Sequence, residues 1–138
     1  MILTMRKVLV MLIILSFMTS FVSAQEEYRI SINSITFYIS SQEISVEVNY
    51  KMESLTELSV LMFGDAPIKR DIQKFFGIGN LTFTEVNETS AKFNLELSEK
   101  GVLKPFEFSK EISEISFVFE DGTKITLRDR NDTPTVLF

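Results

Sequence analysis

The side chains able to do chemistry in this chain are carboxylates, amides, hydroxyls and amines, because it contains no histidine and no cysteine. That removes Ser-His-Asp and Cys-His catalysis, the usual zinc and copper sites, thiol redox chemistry and imidazole-based pH switching. A lysine-activated serine of the Ser-x-x-Lys type is also missing. Ser90/Lys92 and Ser98/Lys100 are spaced by two, as neighbours on one strand face are, and read as solvated surface. Gly77 and Gly79 form no phosphate loop, since Asn80-Leu81-Thr82 follows them rather than a helix start.

Carboxylates alone can hydrolyse glycosides when two of them stand at a suitable separation. Nineteen acidic residues make some such pair inevitable, so a pair by itself says nothing. Asp129, Asn131 and Asp132 cluster next to a stretch carrying Glu120 and Asp121, a set of hard oxygen donors suited to calcium. Their spacing departs from the Asp-x-Asp-x-Asp-Gly loop, and all are turn formers in their own right. Three Asn-x-Thr sequons, at Asn80, Asn87 and Asn131, are candidate glycosylation sites in an exported chain. Carbohydrate stacking is poorly supplied: Trp is absent, and Tyr28, Tyr38 and Tyr50 lie within strand-like alternation. No cofactor is implied.

The N-terminus places the protein outside the cytoplasm. Residues 1–24 carry Arg6 and Lys7, an apolar run, and Val22-Ser23-Ala24 as a small-residue cleavage site, the layout of a secretory signal peptide. The run 8–22 is interrupted by Ser16, Thr19 and Ser20 and falls short of the ~20 apolar residues of a spanning helix, which favours cleavage before Gln25 over a retained anchor. Cleavage removes 24 of 138 residues and leaves 114, one domain at 25–138 with a single core. The leader takes two basic residues and no acid with it, moving the formal charge from −5 to −7. An acidic domain is a poor partner for nucleic acid or for anionic lipid, so the membrane enters this reading only through an uncleaved leader. The absence of disulfides means that packing must supply the stability, and all but two of the thirteen Phe lie beyond the leader. An exported domain of this size without disulfides points to a prokaryotic source.

Alternation of apolar and polar residues dominates the remainder. Tyr28, Ile30 and Ile32, then Ile35, Phe37 and Ile39, give one bent strand or two short ones around Asn33-Ser34. Ile44, Val46, Val48, Tyr50 and Met52 form the cleanest period-2 run. The stretch 55–63 ends apolar on both faces and is expected to be a strand covered on both sides. Leu81 with Phe83, then 91–97, the pair Phe106 and Phe108, and the series 112–119 continue the pattern. Asp121-Gly122 between Phe119 and Ile125 signals a hairpin. The only expected helix lies near 66–76. Ile68, Ile72, Phe75 and Phe76 fall on one stripe, with Asp65 as N-cap, Pro67 in the first turn and Gly77 as the left-handed C-terminal residue.

Seven or eight strands in about a hundred residues are expected to build an all-β, antiparallel two-sheet sandwich of immunoglobulin-like size, with the helix plugging one open end. The alternative is an α+β fold with the helix laid on one sheet, which leaves the other sheet face wet. The helix's polar face carries Lys69, Arg70 and Lys74, a basic patch on an acidic domain and a candidate partner-binding surface.

These features favour a non-catalytic secreted or cell-surface protein acting by protein contact or envelope assembly. The alternatives are a small exported hydrolase using carboxylates only, and a membrane-anchored subunit of an envelope complex. Leader cleavage is checked by N-terminal sequencing of the native protein: Gln25 is expected as the first residue, and a chain that still begins in the apolar run contradicts it.

Overall fold

A computed structural model describes residues 30–138; the leader and Tyr28 lie outside the described residues. The cleanest alternation in the sequence lies near the centre of the fold. Strand β2 (Ile44–Met52) buries Ile44, Val46, Val48 and Tyr50 on one face and leaves Ser45, Glu47 and Asn49 half-exposed on the other. Strand β1 (Ile30–Ile39) runs antiparallel beside it, with Ile35 opposite Val48 and Phe37 opposite Val46. The register slips between Ile32 and Ser34, so the Asn33-Ser34 interruption is a bulge within one bent strand.

On the other side of β2, strand β4 (Ser90–Leu95) sets Phe93 against Val46 and Ala91 against Val48, and strand β3 (Thr82–Val86) closes that edge. Beyond β1 lies β6 (Glu107–Phe119), parallel to it, with Phe37 beside Phe117 and the rings stacked at 5.1 Å. Strand β7 (Lys124–Asp132) pairs antiparallel with β6 through the hairpin signalled by Asp121-Gly122. In that turn the Thr123 amide donates to the Asp121 carboxylate at 2.8 Å, a bond that holds the carboxyl below the usual range. The six strands form one mixed sheet in the order β3-β4-β2-β1-β6-β7. A second sheet has only β5 (Val102–Leu103) and β8 (Val136–Leu137), so the apolar tail finishes a two-residue pairing. The fit there is close: a methyl group on Gly101 would meet the Phe138 carbonyl oxygen at 2.8 Å.

Two helices separate β2 from β3: α1 (Ser54–Phe63) and α2 (Ala66–Phe76). Helix α2 ends as its residues dictate, with Gly77 at φ 69° and the Ile78 amide donating back to the Gln73 carbonyl. Asp65 occupies the N-cap position but makes no capping hydrogen bond, and its carboxylate instead lies 3.6 Å from Lys69 one turn on.

The two-sheet sandwich is therefore corrected. The dry face of the large sheet is covered by α2 rather than by a second sheet. Ile68, Ile72, Phe75 and Phe76 are all buried; Phe75 stacks on Phe108 at 4.8 Å, and Phe76 meets Phe93, Phe106 and Phe108 edge-on at 5.1 to 5.5 Å. The opposite face is wet and polar: the Asn49 amide donates to the Ser34 hydroxyl at 3.1 Å, and the Tyr38 hydroxyl donates to Glu47 at 3.4 Å. The strand expected over 55–63 is corrected too, since that stretch is α1. A run apolar at both odd and even positions has no period-2 signature, and Leu, Glu and Met in it are strong helix formers.

Tyr50 ties the sheet to a connection. Its hydroxyl donates to the Asn87 carbonyl in the β3–β4 turn, where the Asn87 side-chain oxygen also accepts from the Thr89 and Ser90 amides at 2.9 Å. Burial, with a smaller contribution from Asp65, raises its pKa to about 12. Because the folded protein holds this proton above the ordinary value of 10.0, stability from Tyr50 is complete below about pH 10 and is lost between about pH 10 and 12. Tyr50→Phe is expected to cost about 1 kcal/mol at neutral pH and to flatten the decline above pH 10, as urea melts across that range will show; an unchanged pH profile contradicts the assignment. Phe76→Ala, which empties the helix–sheet seam, is expected to cost about 3–5 kcal/mol in the same assay.

Candidate functional site

The expected site residues do not converge. Lys69 is engaged within the fold, bridging to Asp65 and standing 5.7 Å above the Phe83 ring. Arg70 and Lys74 lie exposed, one turn apart, on the side of α2 opposite its buried stripe. Of the expected basic patch, Arg70 and Lys74 are exposed and Lys69 is half-buried.

The calcium candidates sit on a strand rather than in a loop. β7 runs through Asp132, so Asn131 and Asp132 project to opposite sides. Asp132 is taken by Arg130, whose Nη2 and Nε lie 3.0 and 3.1 Å from one carboxylate oxygen. Asp129 takes a left-handed backbone at φ 53°. Among the described residues, no group of three acidic, His or Cys side chains is placed to hold a metal ion.

The sequons occupy different surroundings. Asn80 is exposed just before β3. The Asn87 side-chain oxygen orders its own turn through the Thr89 and Ser90 amides. In the third, Asn131 is exposed, but Thr133 is buried and its hydroxyl accepts the Phe106 amide hydrogen at 2.8 Å. A groove of about 300 Å3 on the wet side, lined in part by Tyr38, Glu43 and Glu120, is wide and shallow, and Glu120 there accepts from the Ser41 amide at 3.3 Å. Burial, and then the Glu47 charge, raise the Tyr38 pKa.

The surface that stands out carries none of these residues. Helix α1 is built inside out. Thr56 is buried, and Ser59 and Val60, on the same side of the helix, are half-buried. Leu55, Leu58, Leu61 and Met62 occupy the opposite side, and with Phe63 at the end they are 54–82% exposed. Isolated exposed leucines need no explanation, but four large apolar side chains on one side of a short helix, with Phe63 exposed at its end, are a concentration of the kind that marks an interaction surface. Glu57 is the only charged residue in the helix.

The sheet edges are poor competitors for that role. β3 has only five residues and carries Glu85, while β7 presents Lys124, Arg128 and Arg130, the charged edges that discourage strand addition. The sequence does not point to the α1 patch when 55–63 is read as a buried strand. The signal that could have found it is a strong helix-forming run with a single charge and no polar stripe for water.

Comparison of the chain with family models, with curated proteins and with solved structures found no match.

The orientation of α1 reverses the usual expectation for apolar and polar positions on a surface helix. Leu61→Glu, at a side chain 82% exposed, is expected to change stability by no more than about 0.5 kcal/mol. Val60→Asp, on the packed side, is expected to cost about 2 kcal/mol or more. Chemical denaturation of the two variants checks this, and equal losses would contradict the assigned orientation.

Proposed function

We propose that this is a non-catalytic exported protein that works by contact at the cell surface or envelope, and that the outward face of α1 is its contact surface. The observation that carries the reading is the reversed polarity of α1, with Thr56 buried and Leu55, Leu58, Leu61, Met62 and Phe63 exposed. Exposing this much apolar surface is unfavourable at roughly 25 cal/mol per Å2, and covering it would recover that free energy on association. The support beside α1 is firm. Helix α2 is locked to the sheet by an aromatic seam, so the patch is displayed on a preformed platform and association loses little to reordering.

The leader supports export, and the absence of His and Cys fits a role in which the protein holds rather than converts. Exposed charged residues of the neighbouring segments, Lys51 and Arg70 among them, are of the kind found at the polar rims of apolar contact cores.

Expressing the full chain in its native host tests this reading. Wild type is expected to fractionate with the envelope or in an assembly larger than a monomer. Leu58→Glu combined with Leu61→Glu should shift it to monomer size while the melting temperature stays within a few degrees. Fractionation unaltered by the double variant contradicts the reading.

A further inference from the structure

We infer that the surface α1 contacts is a lipid bilayer, with Leu55, Leu58, Leu61, Met62 and Phe63 seated at the boundary of headgroups and acyl chains; this assignment rests on the contact reading above and names the occupant. Three observations converge on it. The first is the pattern of the helix: Thr56, Ser59 and Val60 turn toward the protein while Leu55, Leu58, Leu61 and Met62 turn outward, so the face left uncovered is one that acyl chains would cover. Glu57, at the margin of the apolar face, remains at headgroup level in that pose.

The second is where the chain enters the fold. Ile30 pairs with Met52, two residues before α1 begins, so the described chain starts at the end of the sheet that carries α1. The stretch 8–22 has no charged residue, and only the seven residues 23–29 separate it from Ile30. Fully extended, seven residues span at most ~25 Å. In the alternative in which the leader is retained, a bilayer that holds 8–22 therefore lies within ~25 Å of the start of β1, beside which α1 begins. That tether raises the effective concentration of α1 at the surface without adding a contact.

The third is charge. The domain as a whole is acidic, which argues against long-range attraction to anionic lipid, but that repulsion is screened beyond ~8–10 Å at physiological salt. At contact, exposed cations close in sequence to the patch are Lys51, four residues before Leu55, and Arg70 of the adjoining helix, and lipid phosphates are natural counterions for such groups. A protein groove or a second copy would satisfy the apolar face equally well. Neither would account for the position of the chain entry.

Because the chain has no cysteine, single substitutions give unique labelling sites. The full chain carrying Leu61→Cys, labelled with an environment-sensitive fluorophore, is reconstituted into phosphatidylcholine vesicles with and without phosphatidylglycerol, and lipid-borne quenchers are added. Thr123→Cys, in the turn between β6 and β7, is the control: Phe119 pairs with Ile39, placing that turn at the far end of β1, about 30 Å from Ile30. Unchanged melting temperatures establish that both variants fold. The Leu61 label is expected to shift to the blue and to be quenched from the lipid, the Thr123 label to remain in water. Replacing Lys51 and Arg70 with Gln should weaken the association with phosphatidylglycerol vesicles about fivefold for each charge removed; no loss overturns their assigned role. A Leu61 label that is buried but not quenched from lipid, with copies cross-linking through that site, overturns the bilayer as occupant and leaves the contact reading standing with a second copy. A label that stays in water in every vesicle overturns the inference, and the fractionation of the Leu58→Glu, Leu61→Glu protein then decides the contact reading separately.

Discussion

Everything in this fold depends on the seam of phenylalanines between α2 and the large sheet. Phe75 and Phe76 reach down to Phe93, Phe106 and Phe108 with centroid separations of 4.8 to 5.5 Å, combining stacked and edge-on contacts. They seal a dry face to which β1, β2, β4 and β6 all contribute. Without disulfides, a domain of this size has only such packing to hold it. The seam also fixes where α1 goes, since α1 reaches the sheet chiefly through its neighbour α2.

From that constraint the division of the molecule follows. One sheet face is consumed by structure, and the other is wet, with cross-strand pairs such as Asn49 with Ser34 and Tyr38 with Glu47. The carboxylates are scattered over this wet face, the turns and β7, and several are engaged locally: Asp132 by Arg130, Glu120 by the Ser41 amide, Asp121 by the Thr123 amide. The apolar surface left unsatisfied is concentrated on one ten-residue helix. Chemistry is dispersed while contact surface is gathered, and the proposed contact role rests on this contrast.

Much of the local structure was legible. Strict alternation over 44–52 identified β2 and its dry face; Asp121-Gly122 identified the β6–β7 hairpin; the stripe of Ile68, Ile72, Phe75 and Phe76 with Gly77 identified α2. The long-range arrangement was not. Alternation says that a strand has one dry face, but not whether a sheet or a helix covers it, so sandwich and helix-covered sheet look alike residue by residue. The parallel pairing of β1 with β6 joins segments some seventy residues apart and leaves no local trace. The stretch 55–63 failed for a different reason. Its apolar residues stand at both parities, and the assumption that such residues must be buried turned an exposed helix into an interior strand. The charges of α2 are the more conspicuous feature in the sequence, yet Lys69 among them is engaged within the fold.

The central claim is that α1 displays an apolar face which is covered only in the protein's working surroundings. Hydrogen exchange of the full chain, compared between the purified protein in detergent-free buffer and the protein in native envelope, addresses it directly. Amides of α2 and β2, sealed by the phenylalanine seam, should be strongly protected in both. Amides of α1 should exchange readily in buffer, where few buried contacts restrain local opening, and become protected in the envelope. Equal α1 exchange in the two settings would contradict the account.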